Sequence, residues 1–137
     1  MSNVSVSPDC ISVFNDLKLR KKYDFVIYKL NDSHEEIVVD QTDTSRVDRD
    51  EKWERLLAAL QDTRPSYVVY NFEYDRKENI IFIFWLPENA GIKGKMRYSV
   101  PVDKLKQSLS GIDYEMKGGD FDDVSFAEAL YTIGVRT

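Results

Sequence analysis

Apolar residues recur along this chain in two rhythms, and the switches between them divide it into elements. Behind Ser7-Pro8, a capping side chain followed by a proline at the first helical position, Cys10, Val13, Phe14 and Leu17 keep helical spacing and predict a helix over residues 8–21. Residues 23–30 are aromatic and β-branched, Asn31-Asp32-Ser33 are turn formers, and residues 36–40 return as a strand, so a hairpin is expected. Trp53, Leu56, Leu57 and Leu60 stand at i, i+3, i+4 and i+7, an amphipathic helix over 48–60 that Pro65-Ser66 separates from the next strand. Residues 67–74 and 79–86 predict two strands joined by Asp75-Arg76-Lys77-Glu78. The second scarcely alternates, as a strand covered on both faces does.

Beyond Pro87, Tyr98, Val102, Leu105 and Leu109 form one helical stripe. At about 100° per residue the opposite side carries Lys93, Met96, Val100, Lys104 and Gln107. A merely solvated face has no need of Met96 and Val100 among its lysines. Pro101 cannot donate to the carbonyl of Arg97, at a cost of ~3 kcal/mol in an unbroken helix, so a kink or break near Val100 is expected. Residues 112–116 read as a short strand and Gly118-Gly119 as a turn. Ser125-Phe126-Ala127-Glu128 has the spacing of a capping box that opens a last short helix, ended by Gly134. This order predicts one α/β (or α+β) domain over residues 1–137, a mixed, mostly antiparallel sheet flanked by four helices.

Composition narrows the class. At 137 residues one core suffices, and the longest apolar run, residues 80–86, is strand-sized rather than membrane-spanning. Met1-Ser2-Asn3-Val4 has no basic or apolar leader, and Cys10 is the only cysteine, which excludes an internal disulfide. The expectation is a soluble, cytoplasmic monomer. A net charge of −5 argues against nucleic acid as a partner. Cations nevertheless gather at residues 18–22 and between Pro87 and Leu109, where Lys93, Lys95, Arg97, Lys104 and Lys106 face only Glu88 and Asp103. Such patches on an acidic protein suit a specific acidic partner, although cations at helix ends are also favoured by the backbone dipole.

Residues for catalysis are missing. His34 is the only histidine and sits in a turn, so no zinc site of the usual kind can form with Cys10, which lies on an apolar helix stripe. Residues 40–50 lack the sixth-position glycine of a calcium loop, and Gly91-Ile92-Lys93-Gly94-Lys95 lacks phosphate-loop spacing. The adjacent carboxylates Glu35-Glu36 and Asp122-Asp123 fall at loop or element ends. Neither an enzymatic activity nor a cofactor is expected.

Across nearly its whole length the chain resembles the ADF/cofilin family. Val6-Ser7-Pro8 and Phe14-Asn15-Asp16-Leu17-Lys18-Leu19 match that family's first helix, and Tyr70 to Tyr74 with Ile81-Phe82-Ile83-Phe84-Trp85 its central strands. Trp85-Leu86-Pro87-Glu88-Asn89-Ala90 leads into Lys93, Lys95, Met96 and Tyr98, which stand where the family carries Lys-x-Lys-Met-x-Tyr. The resemblance implies the ADF-homology fold and an actin-binding protein that promotes filament depolymerisation and turnover, with severing. It implies an actin-monomer surface made by Ser2, Asn3, Val4, Lys93, Lys95, Met96, Asp103 and Lys104, and a filament surface made by Arg76, Lys77, Lys106 and Arg136. Met96 would enter an apolar cleft of actin, and Ser2 would be the phosphorylated regulatory serine, with Ser5 as the alternative. The pattern departs in three places: Pro101 replaces a serine, the loop at Asp75 is short, and the last helix carries few charges. The monomer surface is therefore better kept than the filament surface. Two other readings stay open: a monomer-sequestering ADF-homology protein with weak filament binding, and a module that binds acidic phosphoinositides through Lys93, Lys95, Lys104 and Lys106.

Overall fold

A computed structural model describes residues 3–44 and 46–135. Its elements, in chain order, are β1 (Ser5–Val6), α1 (Pro8–Lys18), β2 (Phe25–Leu30), β3 (Glu36–Asp43), α2 (Arg49–Ala59), β4 (Ser66–Tyr74), β5 (Lys77–Trp85), α3 (Gly91–Ser99), α4 (Val102–Ser108), β6 (Tyr114–Gly118) and α5 (Phe126–Thr132), with 3-10 turns at Glu88–Ala90 and Phe121–Val124. The six strands form one sheet in the order β1-β3-β2-β4-β5-β6. The inner pairs are antiparallel, and β1·β3 and β5·β6 are parallel, so the sheet is mixed as expected.

Strand alternation sends each half of the residues to a different core. Tyr28, Tyr67, Val69, Phe82 and Phe84 pack with Phe14 and Leu17 of α1 and with Tyr98, Leu105 and Leu109. Phe25, Ile27, Val68, Tyr70, Phe72, Ile81 and Ile83 pack with Trp53 and Leu56 of α2 and Ala129 of α5. The result is three layers: α1, α3 and α4 on one face of the sheet and α2 and α5 on the other. Residues 79–85 are all buried, in agreement with their lack of alternation.

Two expectations need correction. The single long helix after Pro87 is two helices, which raises the number of α-helices among the described residues from four to five. Pro101 is the cause: with φ −91° and ψ 3° it stands outside helical geometry, and α4 restarts behind it with Leu105 N–H donating to the Pro101 carbonyl. The first helix stops at Lys18 instead of residue 21. Lys21 turns left-handed at φ 55° and Lys22 N–H reaches back to the Asp16 carbonyl, which closes the helix end without a glycine.

Smaller differences have similar causes. The β4–β5 connection is a two-residue turn, Asp75-Arg76, both left-handed (φ 53° and 65°), so Lys77 and Glu78 belong to β5. The ladder β1·β3 was not foreseen, because two residues carry no period. Ser7 caps α1 by accepting from Asp9 N–H (3.4 Å), and Ser125 caps α5 by accepting from Glu128 N–H (3.1 Å). Cys10 is fully buried with its thiol donating to the Ile37 carbonyl (3.3 Å), and burial pushes its pKa up to about 12. No helix of the described residues is long and apolar enough to cross a membrane, and no group of His, Cys, Asp or Glu among them could hold a metal ion.

Candidate functional site

α3 is fixed to the sheet largely through one residue. Tyr98 is buried, its hydroxyl accepts from Leu30 N–H (3.1 Å), and its carbonyl accepts from the Tyr67 hydroxyl (2.7 Å). The two rings lie 5.2 Å apart. With Tyr98 pointing inward, helical geometry turns positions 92, 93, 96 and 100 outward. Ile92, Met96 and Val100 are accordingly exposed, at 83%, 58% and 56%, which is far more apolar surface than one short helix needs to show to water.

Met96 and Val100 border an open groove of about 370 Å³ whose other walls include Asn3, Val4, His34, Lys93 and Arg97. Asn3 and Val4 reach it because β1 anchors the N-terminal segment beside β3, with Ser5 N–H donating to the Glu35 carbonyl (2.9 Å). α4 completes the arrangement from the other side: Lys104 Nζ donates to the Val4 carbonyl at 2.7 Å. Four of the monomer-surface residues named from the sequence, Asn3, Val4, Lys93 and Met96, thus line one groove, and Lys104 touches its wall.

Lys95 and Asp103 stand apart from it. Lys95 turns toward the preceding 3-10 turn and pairs with Glu88 at 2.7 Å. Asp103, exposed at the start of α4, lies 3.3 Å from Lys106. His34, set aside in the sequence as an exposed turn residue, was missed. It is exposed and left-handed (φ 61°), yet it lines the groove beside Lys93 and Arg97. A strand turn lying against a helix that starts dozens of residues later leaves no local signal.

The filament set is dispersed. Arg76 is at the tip of the β4–β5 hairpin and Lys77 opens β5, both exposed. Lys106 is held within the chain by Glu115 (2.8 Å) and Asp103, and these partners raise its pKa, the Glu115 hydrogen bond most. Glu115 stands beside Phe82 in the middle of β5, away from the tip. α5 presents Tyr131, 69% exposed, on its outer side. Ser2 and Arg136 lie outside the described residues.

A three-layer fold whose outward helix carries apolar residues among lysines is the architecture of an interaction module, and comparison with known proteins gives its family. Residues 3–133 match the family model described as cofilin/tropomyosin-type actin-binding protein. Cofilin of Gibberella zeae is 42% identical over 145 residues, covering 96% of this chain and 94% of that protein. Cofilin of Saccharomyces cerevisiae is 36% identical over 94% of this chain and 91% of its own length. Among solved structures, Streptomyces griseoflavus cofilin superposes with a TM-score of 0.86 at 31% identity over 93% of this chain and 95% of that one. Plasmodium berghei actin depolymerization factor 2 does so with a TM-score of 0.86 at 30% identity, covering 100% and 99%. The chain belongs to the cofilin/ADF family of actin-binding proteins.

Proposed function

We propose that this protein binds actin monomers through the groove formed by the N-terminal segment, α3 and the start of α4, binds filament sides through the β4–β5 hairpin and α5, and thereby promotes filament depolymerisation. The observation that carries this reading is the pair Met96 and Val100, exposed along one side of α3 beside Lys93. An apolar anchor inside a ring of cations is what an acidic, cleft-bearing partner requires: the apolar contact supplies affinity and the charges orient it.

The mechanism needs no covalent step. Binding that is tighter to one filament geometry than to another shifts the filament toward the favoured geometry by the difference in binding free energy. Asn3, Val4, Lys93, Met96 and Lys104 form the centre of the monomer surface, with Lys95 and Asp103 at its rim. Arg76 and Lys77, with Lys106 and Arg136, form the filament surface. Phosphate on Ser2 would add about −1.5 to −2 charges close to an acidic partner and weaken the complex. The protein acts as a single cytoplasmic domain on the actin cytoskeleton, without enzymatic activity of its own.

Filament co-sedimentation beside a pyrene-actin depolymerisation assay tests the reading. Met96→Glu should abolish the depolymerising activity while the far-UV spectrum and melting temperature stay as in the parent. A fully active, well-folded Met96→Glu would remove α3 from the interface.

A further inference from the structure

The cations that α3 offers on its outer face are not the two that the family's signature names. Lys93, Met96, Arg97 and Val100 stand at i, i+3, i+4 and i+7, one side of the helix, and all four border the groove beside the N-terminal segment. Lys95, the second lysine of the signature, does not line that groove. Its ammonium is held at 2.7 Å by Glu88 of the preceding 3-10 turn. Arg97 occupies a position that the signature leaves open, between Met96 and Tyr98. It is exposed, and its guanidinium forms neither an ion pair nor a hydrogen bond among the described residues.

Arg97 also borders a second depression, of about 290 Å³, on the other side of α3 toward the β2–β3 turn. It stands on the ridge between the two, and His34 is the one other residue that lines both. Lys29 and Arg64, which also line the second depression, are already paired with Asp40, at 3.7 and 2.8 Å. The carboxylate on that side, Asp32, is exposed on the turn, and none of the residues that line the Met96 groove carries a carboxylate. Like charges four residues apart, as Lys93 and Arg97 are, disfavour a helix. The dipole at the last turn of α3 offsets part of this for Arg97. It accounts for a cation there, but leaves the guanidinium's donors unused beside an exposed methionine.

We infer that Arg97, ahead of Lys95, is the second cation of the actin-monomer surface, its guanidinium taking a carboxylate of the monomer while Met96 enters the apolar cleft. This rests on the reading of the groove as the monomer site. Two physical differences favour Arg97. Its charge is available without breaking an internal pair, whereas Lys95 has to leave or share Glu88. Its planar fork can hold both oxygens of one carboxylate, and a guanidinium sheds water more readily than an ammonium. Lys93 and Arg97 then flank the apolar anchor one helical turn apart. The partner that fits presents carboxylates at two places along its apolar cleft, the second of them shaped for a guanidinium.

The test is a fluorescence titration of labelled actin monomer with the full chain and its single variants, at low and moderate salt, with a thermal melt of each variant. Arg97→Ala should weaken binding about tenfold, more than Lys95→Ala does, at an unchanged melting temperature. Its Kd should also depend less steeply on salt, because one fewer charge pair is screened. Arg97→Lys should recover part of the loss, since the charge stays and the fork is gone. Arg97→Glu should bind more weakly than Arg97→Ala, because it places a like charge against the partner's carboxylate. A role confined to the helix would instead lower the melting temperature and leave Kd and its salt dependence as in the parent, which overturns the assignment. Met96→Glu separates this failure from failure of the groove itself. If Met96→Glu abolishes binding while Arg97→Ala and Arg97→Glu stay within about twofold of the parent, the groove stands and Arg97 is not its second cation. A larger loss for Lys95→Ala than for Arg97→Ala has the same meaning. If Met96→Glu binds as tightly as the parent, the groove is not the monomer site and the assignment of Arg97 falls with it.

Discussion

Lys93 and Lys95 are neighbours in the family's signature, yet the structure gives them different starting points, and this makes their contributions separable. Lys93 is exposed at the groove and forms no ion pair among the described residues, whereas Lys95 is already paired with Glu88 at 2.7 Å, its side chain 30% exposed. If both face carboxylates of actin at a partly desolvated interface, truncating Lys93 removes a new pair outright. That should cost about 1.5 kcal/mol, or roughly tenfold in Kd. Lys95 must first leave or share Glu88, and an exposed pair is worth ~0–1 kcal/mol, which is subtracted from its gain. Lys95→Ala should therefore cost only about two- to fivefold. Glu88→Gln should bind actin as tightly as the parent or up to a few-fold tighter, since it frees Lys95 and removes one carboxylate from an acid-seeking surface. The assay is a fluorescence titration of labelled actin monomer at low and moderate salt, with thermal melts to show that each variant is folded. A larger loss for Lys95→Ala than for Lys93→Ala, together with weakened binding by Glu88→Gln, would refute the reasoning.

Tyr98→Phe leaves Leu30 N–H without its acceptor, and a urea melt should show a loss of ~1–3 kcal/mol. Tyr28, Tyr67 and Tyr70 all have pKa values raised, chiefly by burial. Below about pH 10 the folded and unfolded chains both keep these protons, but above it only the unfolded chain releases them, so stability falls as pH rises. Absorbance at 295 nm should show these three phenols ionising only together with unfolding, and their titration in a folded chain near pH 10 would contradict the burial. The Cys10 thiol, with its pKa pushed up to about 12, should resist a disulfide reagent at pH 8 until denaturant is added.

The fold was largely legible because the longer elements announce their period in side chains. The helical spacing of Cys10, Phe14 and Leu17 and the unbroken apolar run from Ile80 translate directly into the burial found. Pro101 marked the break near Val100, but the number of helices was misjudged, since a proline can kink a helix as readily as end one. Lys21 and the Asp75-Arg76 turn escaped because left-handed backbone without glycine or asparagine carries no sequence mark. At the site, Met96 among lysines was visible on a helical wheel. The proximity of His34 and Val4 to it was not, because both arrive through strand pairing between distant segments. The engagement of Lys95 by Glu88 was equally hidden: charge can be counted along a chain, but which charges are already spent is decided by packing.

The two-residue hairpin turn has a mechanical consequence. A long loop at this place would bend before it transmitted force. Here the tip passes straight into two nine-residue strands, paired with each other from Ser66–Trp85 to Tyr74–Lys77 and flanked by β2 and β6. A pull on Arg76 along the strand axis loads the outer ladders in shear, where several hydrogen bonds must yield together. Displacement of the tip is then displacement of the whole sheet, and with it of the α3 groove on the far side. A filament held at both places, as proposed, would be coupled through this sheet.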